Sequence, residues 1–228
     1  MEAQVLDNIP VELDKDAIMK QLRGRREMET CVDELLARVR PIARPKALFK
    51  QSFIEEKGDN TVCIDSVTFA SHVLRVNLDP VERVFPYVVT CGRELDEVKV
   101  PADDFLMPFC LDTIKRVALN EARVFLDDYL RRRYALGQLS RMAPGSLEDW
   151  PITQQSLLFS LLGNVEKLIG VTLTPDFLMV PVKSISGIMF PTEVKFESCQ
   201  LCSRTNCAGR RAAYDHALVS KYEQAALH

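Results

Sequence analysis

Residues 141–145 have the sequence Arg-Met-Ala-Pro-Gly. The segment combines a permanently charged arginine with small residues, so a ligand could approach its backbone closely. Pro144 lacks an N–H group and Gly145 can adopt a positive φ, so this backbone is hard to pair in a regular element. The Arg141 guanidinium is a planar fork that suits a carboxylate. The loop precedes a predicted helix, whose N-terminus also favours negative charge. These features predict a site for a small ligand with a carboxylate and a flat base. The alternative is a Pro-Gly turn with a surface arginine.

Three cysteines near the C-terminus, Cys199, Cys202 and Cys207, have the spacing C-x2-C-x4-C. Thiolates this close in sequence can share one metal centre. Three interpretations stay open. The cysteines hold an iron–sulfur cluster whose fourth ligand is another cysteine, a different group or an open position; they hold structural zinc with a fourth ligand such as His216; or they bind no metal.

The composition predicts an ordinary globular protein and excludes several classes of function. The 228 residues are 47% hydrophobic and 27% charged, and the net charge of -3 gives no support for a general nucleic-acid binder. Neither a signal peptide nor an apolar stretch of bilayer length is visible. Seven cysteines without an export signal suggest a reducing cytoplasm. The sequence contains neither GxGxxG nor GxxxxGK[ST], so nucleotide sites of those types are not expected.

Apolar periodicity predicts the elements that must position these residues. The predicted helices are 14–22, 26–39, 105–136 and 153–169; the predicted strands are a hairpin over 46–69 with its turn at 57–60, and the segments 84–90, 171–174 and 177–190. We expect Gly137 to end the third helix and Thr153 to cap the fourth. Pro86 indicates an edge position or an irregularity in its strand. Because strands and helices do not alternate regularly, we expect an α+β fold with a mostly antiparallel, twisted sheet flanked by helices.

A series of short motifs between residues 139 and 191 carries a family resemblance. The motifs are Arg-x-Ala-Pro-Gly at 141–145, Leu-Leu-Phe-Ser-Leu-Leu at 157–162, Ile-Gly-Val-Thr-Leu-Thr at 169–174, Met-Val-Pro at 179–181, and Ser-Ile-Ser-Gly at 184–187 followed by Phe190. In order and spacing they resemble the activation domain of cobalamin-dependent methionine synthase. In that family the domain binds S-adenosylmethionine and presents its methyl group to cobalamin in the inactive Co(II) state. With an electron from a reductase, methylcobalamin is regenerated.

The resemblance implies a ligand site in this chain. Arg141 would meet the methionine carboxylate, and the backbone around Ala143 and Gly145 would line the adenosyl end. The residues implied in S-adenosylmethionine binding are Arg141, Ala143, Pro144, Gly145, Ser146, Ser186, Gly187 and Met189. Ser146 and Met189 stand where the family has tyrosines, which removes aromatic surface that could pack on the ligand. Trp150 is a candidate to replace part of that stacking.

The resemblance also implies partners. The chain has no room for the homocysteine, folate and cobalamin modules of a methionine synthase, so it looks like a free-standing activation domain. Residues 1–195 would form this domain and residues 196–228 a cysteine-containing tail. It would act on a separate corrinoid protein or cobalamin-dependent methionine synthase, with a low-potential electron donor such as flavodoxin or ferredoxin. The alternatives are a non-catalytic module that binds a corrinoid protein, and a small iron–sulfur or zinc protein in electron transfer.

Overall fold

The computed structural model describes residues 2–23, 27–101, 103–207 and 210–225. The strands are β1 (Gln4–Leu6), β2 (Lys46–Phe49), β3 (Ser52–Lys57), β4 (Thr61–Ile64), β5 (Val67–Ala70), β6 (Arg83–Thr90), β7 (Leu139–Met142), β8 (Thr172–Leu173), β9 (Met179–Val180) and β10 (Ser184–Pro191). The helices are α1 (Lys15–Gln21), α2 (Glu27–Val39), α3 (His72–Asn77), α4 (Arg93–Asp96), α5 (Leu106–Tyr134), α6 (Gln155–Leu162), α7 (Val165–Ile169) and α8 (His216–Ala225).

An antiparallel eight-stranded sheet forms the centre of the molecule. Its main path runs β1-β2-β6-β3-β4-β5, and β10 adds to β6 and carries β7 on its other side. Strands β8 and β9 form a small separate pair. Because β6 contacts β2, β3 and β10, it is the central strand. The predicted α+β fold with a mostly antiparallel sheet flanked by helices is therefore confirmed.

Helices cover both faces of this sheet. One face packs against the second half of α5, through Ala122, Leu126 and Leu130. The other face packs against α6, α7 and the fully buried Trp150. The first half of α5 forms a further apolar cluster with α1 and α2. The apolar side chains of α5 recur at helical spacing, and they pack into one cluster in its first half and into another in its second half.

Two predictions about the strands need correction. The segment 46–69 forms four strands, β2 to β5, and only the turn at 57–60 separates two of them as expected. Strand β6 is central, so Pro86 does not mark an edge. Its missing N–H is tolerated because the neighbouring strand changes from β2 to β3 opposite Pro86, where the Lys50 amide donates to the Pro86 carbonyl at 3.0 Å. The predicted irregularity is present.

The predicted helix over 153–169 is broken into a 3₁₀ turn, Ile152–Gln154, and the two helices α6 and α7. Gly163 separates the helices with a φ of 85°, and the Asn164 side chain caps α7 by accepting from the Lys167 amide at 3.0 Å. Thr153 lies inside the 3₁₀ turn, so its prediction as a cap is wrong.

Helix α5 ends where Ala135 takes a left-handed conformation, with a φ of 51°. The prediction that Gly137 ends this helix is therefore wrong by two positions. The Ala135 amide still donates to the Arg131 carbonyl, as the Leu136 amide does at 2.9 Å, so the last turn closes without the glycine.

The short elements were not predicted. Strands β1 and β7 and helices α3 and α4 have three to six residues each, too few for a periodic pattern to emerge. The expected start of the second helix at Arg26 lies outside the described residues. Within the described ranges, no helix is both long enough and apolar enough to cross a membrane.

Candidate functional site

Arg141 lies on the edge strand β7, directly opposite Met189 of β10. Its face of the sheet is the one that packs against α5, because Leu139 and Met189 belong to the apolar cluster on that side. Gly187 allows the two strands to approach closely. A Cβ at this position would overlap the Met142 carbonyl oxygen and lie 3.2 Å from the Tyr87 hydroxyl oxygen.

The Arg141 guanidinium lies between two carboxylates. Nη1 is 3.5 Å from Oδ2 of Asp127 on α5, and Nη2 is 3.8 Å from Oε1 of Glu197 in the C-terminal tail. Both distances exceed a normal hydrogen bond, so charge attraction rather than a bidentate bond holds the fork. The Arg141 side chain is 16% exposed. The planar fork is therefore mostly buried, and within the described residues its N–H donors make no close hydrogen bond.

Burial and charge shift the pKa values in this cluster in different directions. Burial raises the pKa of Asp127, although Arg141 and Arg123 oppose the shift. Burial acts the same way on Glu197, but Arg211 and Arg141 together outweigh it and hold the pKa of Glu197 below its ordinary value. Glu197 is therefore an anion at neutral pH, stabilised by the cations around it.

The loop after β7 is a closed turn with an accessible glycine. Gly145 has a φ of 78° and donates its N–H to the Trp150 carbonyl at 2.7 Å. The amide and hydroxyl of Ser146 both donate to the Ala143 carbonyl, at 3.1 and 2.6 Å. A Cβ on Gly145 would lie 2.9 Å from Cδ1 of Ile152. Only glycine fits this position without strain.

Asp149 anchors the loop to helix α3. Its carboxylate accepts from the amides of His72 and Val73, both at 3.0 Å, and from the Ser71 hydroxyl. Ser71 in turn caps α3 by accepting from the Leu74 amide at 3.0 Å. The position of the loop is thus set by a side-chain bond network at one end and by β7 at the other.

Trp150 cannot provide stacking surface for a ligand. The side chain is fully buried and meets Phe69 edge-on, with ring centroids 5.9 Å apart. The prediction that Trp150 replaces the missing aromatic surface is therefore wrong. It is a core residue that closes the loop against the sheet.

A cavity of about 890 Å³ lies between this loop and the C-terminal tail. The loop contributes Gly145 and Ser146, and the tail contributes Cys199, Cys202 and Cys207. The two regions singled out in the sequence thus share one cavity. Its volume falls within the range of small-molecule sites. Arg141 does not line it.

The cysteine segment is organised around Arg210. The guanidinium donates to the carbonyls of Cys199, Cys202 and Ala212, at 3.0 to 3.1 Å, and also to the Arg204 carbonyl. Within the described ranges, no group of three cysteine, histidine or acidic side chains is placed to share a metal ion. The metal centre at the three cysteines therefore stays a prediction.

The remaining predicted residues lie beside the cavity rather than in its wall. Ser186, Gly187 and Met189 are buried in β10, and Met189 is fully enclosed against α5. Pro144 is buried and Ala143 is half-buried. Asp127 and Glu197, which flank Arg141, were missed because they are distant from it in sequence and belong to no motif. The sequence placed Arg141 in an irregular loop and gave no signal for these two carboxylates.

Comparison with solved structures identifies the fold. A crystal structure of the MetH reactivation domain bound to AdoHcy (S-adenosylhomocysteine) superposes with a TM-score of 0.62 at 16% sequence identity. The match covers 86% of this chain and 81% of that domain. The chain matches no protein-family model, and no curated protein sequence matches it. The fold expected from the resemblance to the methionine synthase activation domain is confirmed.

Proposed function

We propose that this protein binds S-adenosylmethionine and uses its methyl group to reactivate a corrinoid protein by reductive methylation. One observation carries the proposal. The Arg-x-Ala-Pro-Gly motif begins on the edge strand of a fold shared with a domain that was crystallised with AdoHcy, and its Gly145 opens on a cavity of about 890 Å³.

The proposed roles follow from the chemistry of each residue. Arg141 binds the carboxylate of the amino-acid end, since among the described residues its fork has only two longer ion pairs, 3.5 Å to Asp127 and 3.8 Å to Glu197. The accessible backbone of Gly145 and the half-buried Ser146 line the adenosyl end in the cavity. The protein contributes positioning and exclusion of water, so a general base is not required.

The methyl transfer balances with one added electron. The partner's cobalt is reduced from Co(II) to Co(I) and attacks the methyl carbon of the sulfonium. A Co–C bond forms, the S–CH₃ bond breaks with its electron pair remaining on sulfur, and S-adenosylhomocysteine leaves. The electron comes from a low-potential donor of the flavodoxin or ferredoxin class. The corrinoid partner is a separate protein or a cobalamin-dependent methionine synthase, and the setting is the cytoplasm.

A metal centre at Cys199, Cys202 and Cys207 is a finer part of this proposal. Only the C-x2-C-x4-C spacing supports it. An iron–sulfur cluster there would supply the electron close to the methyl donor, whereas zinc would only stabilise the tail. The absorption spectrum and metal content of anaerobically purified protein separate these cases. A colourless protein without stoichiometric iron or zinc would remove both.

Binding of S-adenosylhomocysteine and S-adenosylmethionine by calorimetry tests the ligand site. We expect saturable binding to the wild type and about tenfold or greater weakening in Arg141→Lys, because an ammonium keeps the charge but loses the planar fork. Arg132→Ala is the matched control, since Arg132 is an exposed residue of the last turn of α5. Equal affinities for Arg141→Lys and wild type would contradict the assignment of Arg141.

Methyl-cobalt formation tests the reaction itself. The chain is mixed with a Co(II) corrinoid protein, S-adenosylmethionine and a low-potential reductant, and the cobalt spectrum is followed. We expect methyl-cobalt to appear only when the chain is present. Saturable ligand binding without methyl-cobalt formation would instead favour a non-catalytic module that binds corrinoid proteins.

A further inference from the structure

Arg211 connects the cavity with the charge cluster around Arg141. It lines the cavity, and its Nε donates to Oε2 of Glu197 at 2.9 Å. Oε1 of the same carboxylate lies 3.8 Å from Nη2 of Arg141. The two guanidinium groups therefore flank one carboxylate, and of these two arginines it is Arg211 that reaches the cavity wall.

The guanidinium of Arg211 keeps donors for a ligand. Its Nε is engaged with Glu197, whereas its two terminal nitrogens make no hydrogen bond to any residue that the structure describes. The side chain is 50% exposed, against 16% for Arg141. A carboxylate in the cavity can therefore accept from the terminal nitrogens of Arg211 without breaking the bond to Glu197.

Arg211 is held at both its backbone and its side chain. Its amide donates to Sγ of Cys199 at 3.4 Å, and its Nε is bonded to Glu197, a buried residue. Fixing the fork in advance reduces the side-chain entropy that is lost when a ligand binds. Arg204 also lines the cavity, but it is exposed, and its side chain makes no hydrogen bond or ion pair within the described ranges. Of these two arginines, Arg211 is the one already positioned to bind.

Cations outnumber carboxylates around Glu197. Arg141, Arg211 and Lys195 approach its carboxylate oxygens at 3.8, 2.9 and 3.4 Å. Arg141 also faces Asp127 at 3.5 Å. Even when Arg141 is assigned to Asp127, Arg211 and Lys195 carry one positive charge more than Glu197 neutralises. The surplus charge attracts a further anion, and Arg211 presents it to the cavity.

We propose that Arg211 is a second binding residue for the ligand's carboxylate, acting from within the cavity in addition to Arg141. The inference rests on the proposed function, because it takes S-adenosylmethionine or S-adenosylhomocysteine as the ligand. The adenosyl end lies beside Gly145 and Ser146 on the loop side, and the amino-acid end extends to Arg211 on the tail side. Glu197 stays in place and orients Arg211 towards the ligand.

Calorimetric titration with two ligands tests the assignment. S-adenosylhomocysteine carries the carboxylate, whereas methylthioadenosine has the adenosyl thioether without the amino-acid end. We expect Arg211→Gln to bind S-adenosylhomocysteine about tenfold more weakly than the wild type, the effect of losing a charge-assisted hydrogen bond. Its affinity for methylthioadenosine should stay within about twofold of the wild type, because the adenosyl end keeps its contacts. This second ligand also shows that the variant is folded.

Lys195→Gln is the matched control. Lys195 also pairs with Glu197, but it is not among the described residues of the cavity wall. The control should bind both ligands as the wild type does. A selective loss of S-adenosylhomocysteine binding in Lys195→Gln as large as that in Arg211→Gln would attribute the effect to net charge, and would overturn a direct contact of Arg211.

The other outcomes separate this inference from the proposed function. Unchanged S-adenosylhomocysteine binding by Arg211→Gln, or an equal loss for both ligands, overturns the role of Arg211 and leaves the ligand site intact. Absence of saturable binding of either ligand to the wild type overturns the proposed function, and the inference with it.

Discussion

At the scale of single residues, the close approach of strands β7 and β10 leaves no room for a side chain at Gly187. Gly187 faces the Met142 carbonyl oxygen and the Tyr87 hydroxyl, so any Cβ must push β7 away from β10. Because β7 carries Arg141, such a shift also displaces the guanidinium. The glycine of the Ser-x-Ser-Gly motif thus has a steric role in strand pairing, whatever its role towards a ligand.

Gly187→Ala should lower the free energy of unfolding by about 2 kcal/mol, the usual cost of forcing a methyl group into a packed site. Gly137→Ala is the matched control, because no heavy atom of the described residues lies within 4 Å of the corresponding Cβ position. The control should remain within about 0.5 kcal/mol of the wild type. Denaturant unfolding measures both, and equal stabilities of the two variants would contradict the close contact.

Glu197 should make stability depend on pH in a defined window. Its pKa in the folded protein is below the ordinary value of 4.5, so its stabilising effect is present above pH 4.5 and is lost as the pH falls through the folded pKa. We therefore expect the difference in unfolding free energy between the wild type and Glu197→Gln to be full at pH 7 and to shrink below pH 4.5. A constant difference from pH 7 to pH 3 would show that the ion pairs do not contribute.

At the scale of elements, the sequence predicted what long periodic patterns can encode. Helix α5 was expected over 105–136 and spans Leu106–Tyr134, because apolar residues recur on one side over many turns. The break at Gly163 was missed, since leucines continue on both sides of it. The dihedral angles of a single glycine, rather than hydrophobicity, separate α6 from α7.

Asp149→Ala should destabilise the protein by about 1–2 kcal/mol. The substitution leaves the amides of His72 and Val73 without their acceptor at the start of α3. Glu148→Ala is the matched control, because Glu148 is the exposed neighbour in the same loop. Chemical denaturation should separate the variants, and a neutral Asp149→Ala would show that the loop is held mainly by the burial of Trp150.

At the scale of the whole molecule, the tail is packed into the main core. Phe196 belongs to the largest apolar cluster, and Leu218 and Tyr222 of α8 pack against it. The division between residues 195 and 196 stays a prediction. The sequence indicated Arg141, Gly145 and the three cysteines separately, but only the fold places Gly145 and the cysteines on one cavity. Contacts between a loop and a distant tail leave no periodic signal, so Glu197 could not be predicted.

Phe196→Ala should release the tail. Losing a buried phenyl ring costs about 3 kcal/mol or more, and the contact with Tyr222 is lost as well. We expect tryptic cleavage after Arg204 to become much faster while the rest of the chain stays resistant. Val194→Ala is the matched control, because Val194 is 81% exposed two residues away. Equal cleavage rates for Phe196→Ala and the control would mean that α8 is held by other contacts.

The cysteine segment already has a cation at its centre. The Arg210 guanidinium binds four backbone carbonyls of the tail, and none of these bonds uses a sulfur atom. Small cysteine-rich loops often depend on a bound metal ion for their shape, but here the Arg210 side chain holds the backbone of the loop together. A chelator would therefore strip any bound ion without unfolding the loop. Of the three thiols, that of Cys207 is exposed, so it is the one open to exchange with other thiols or to soft metals.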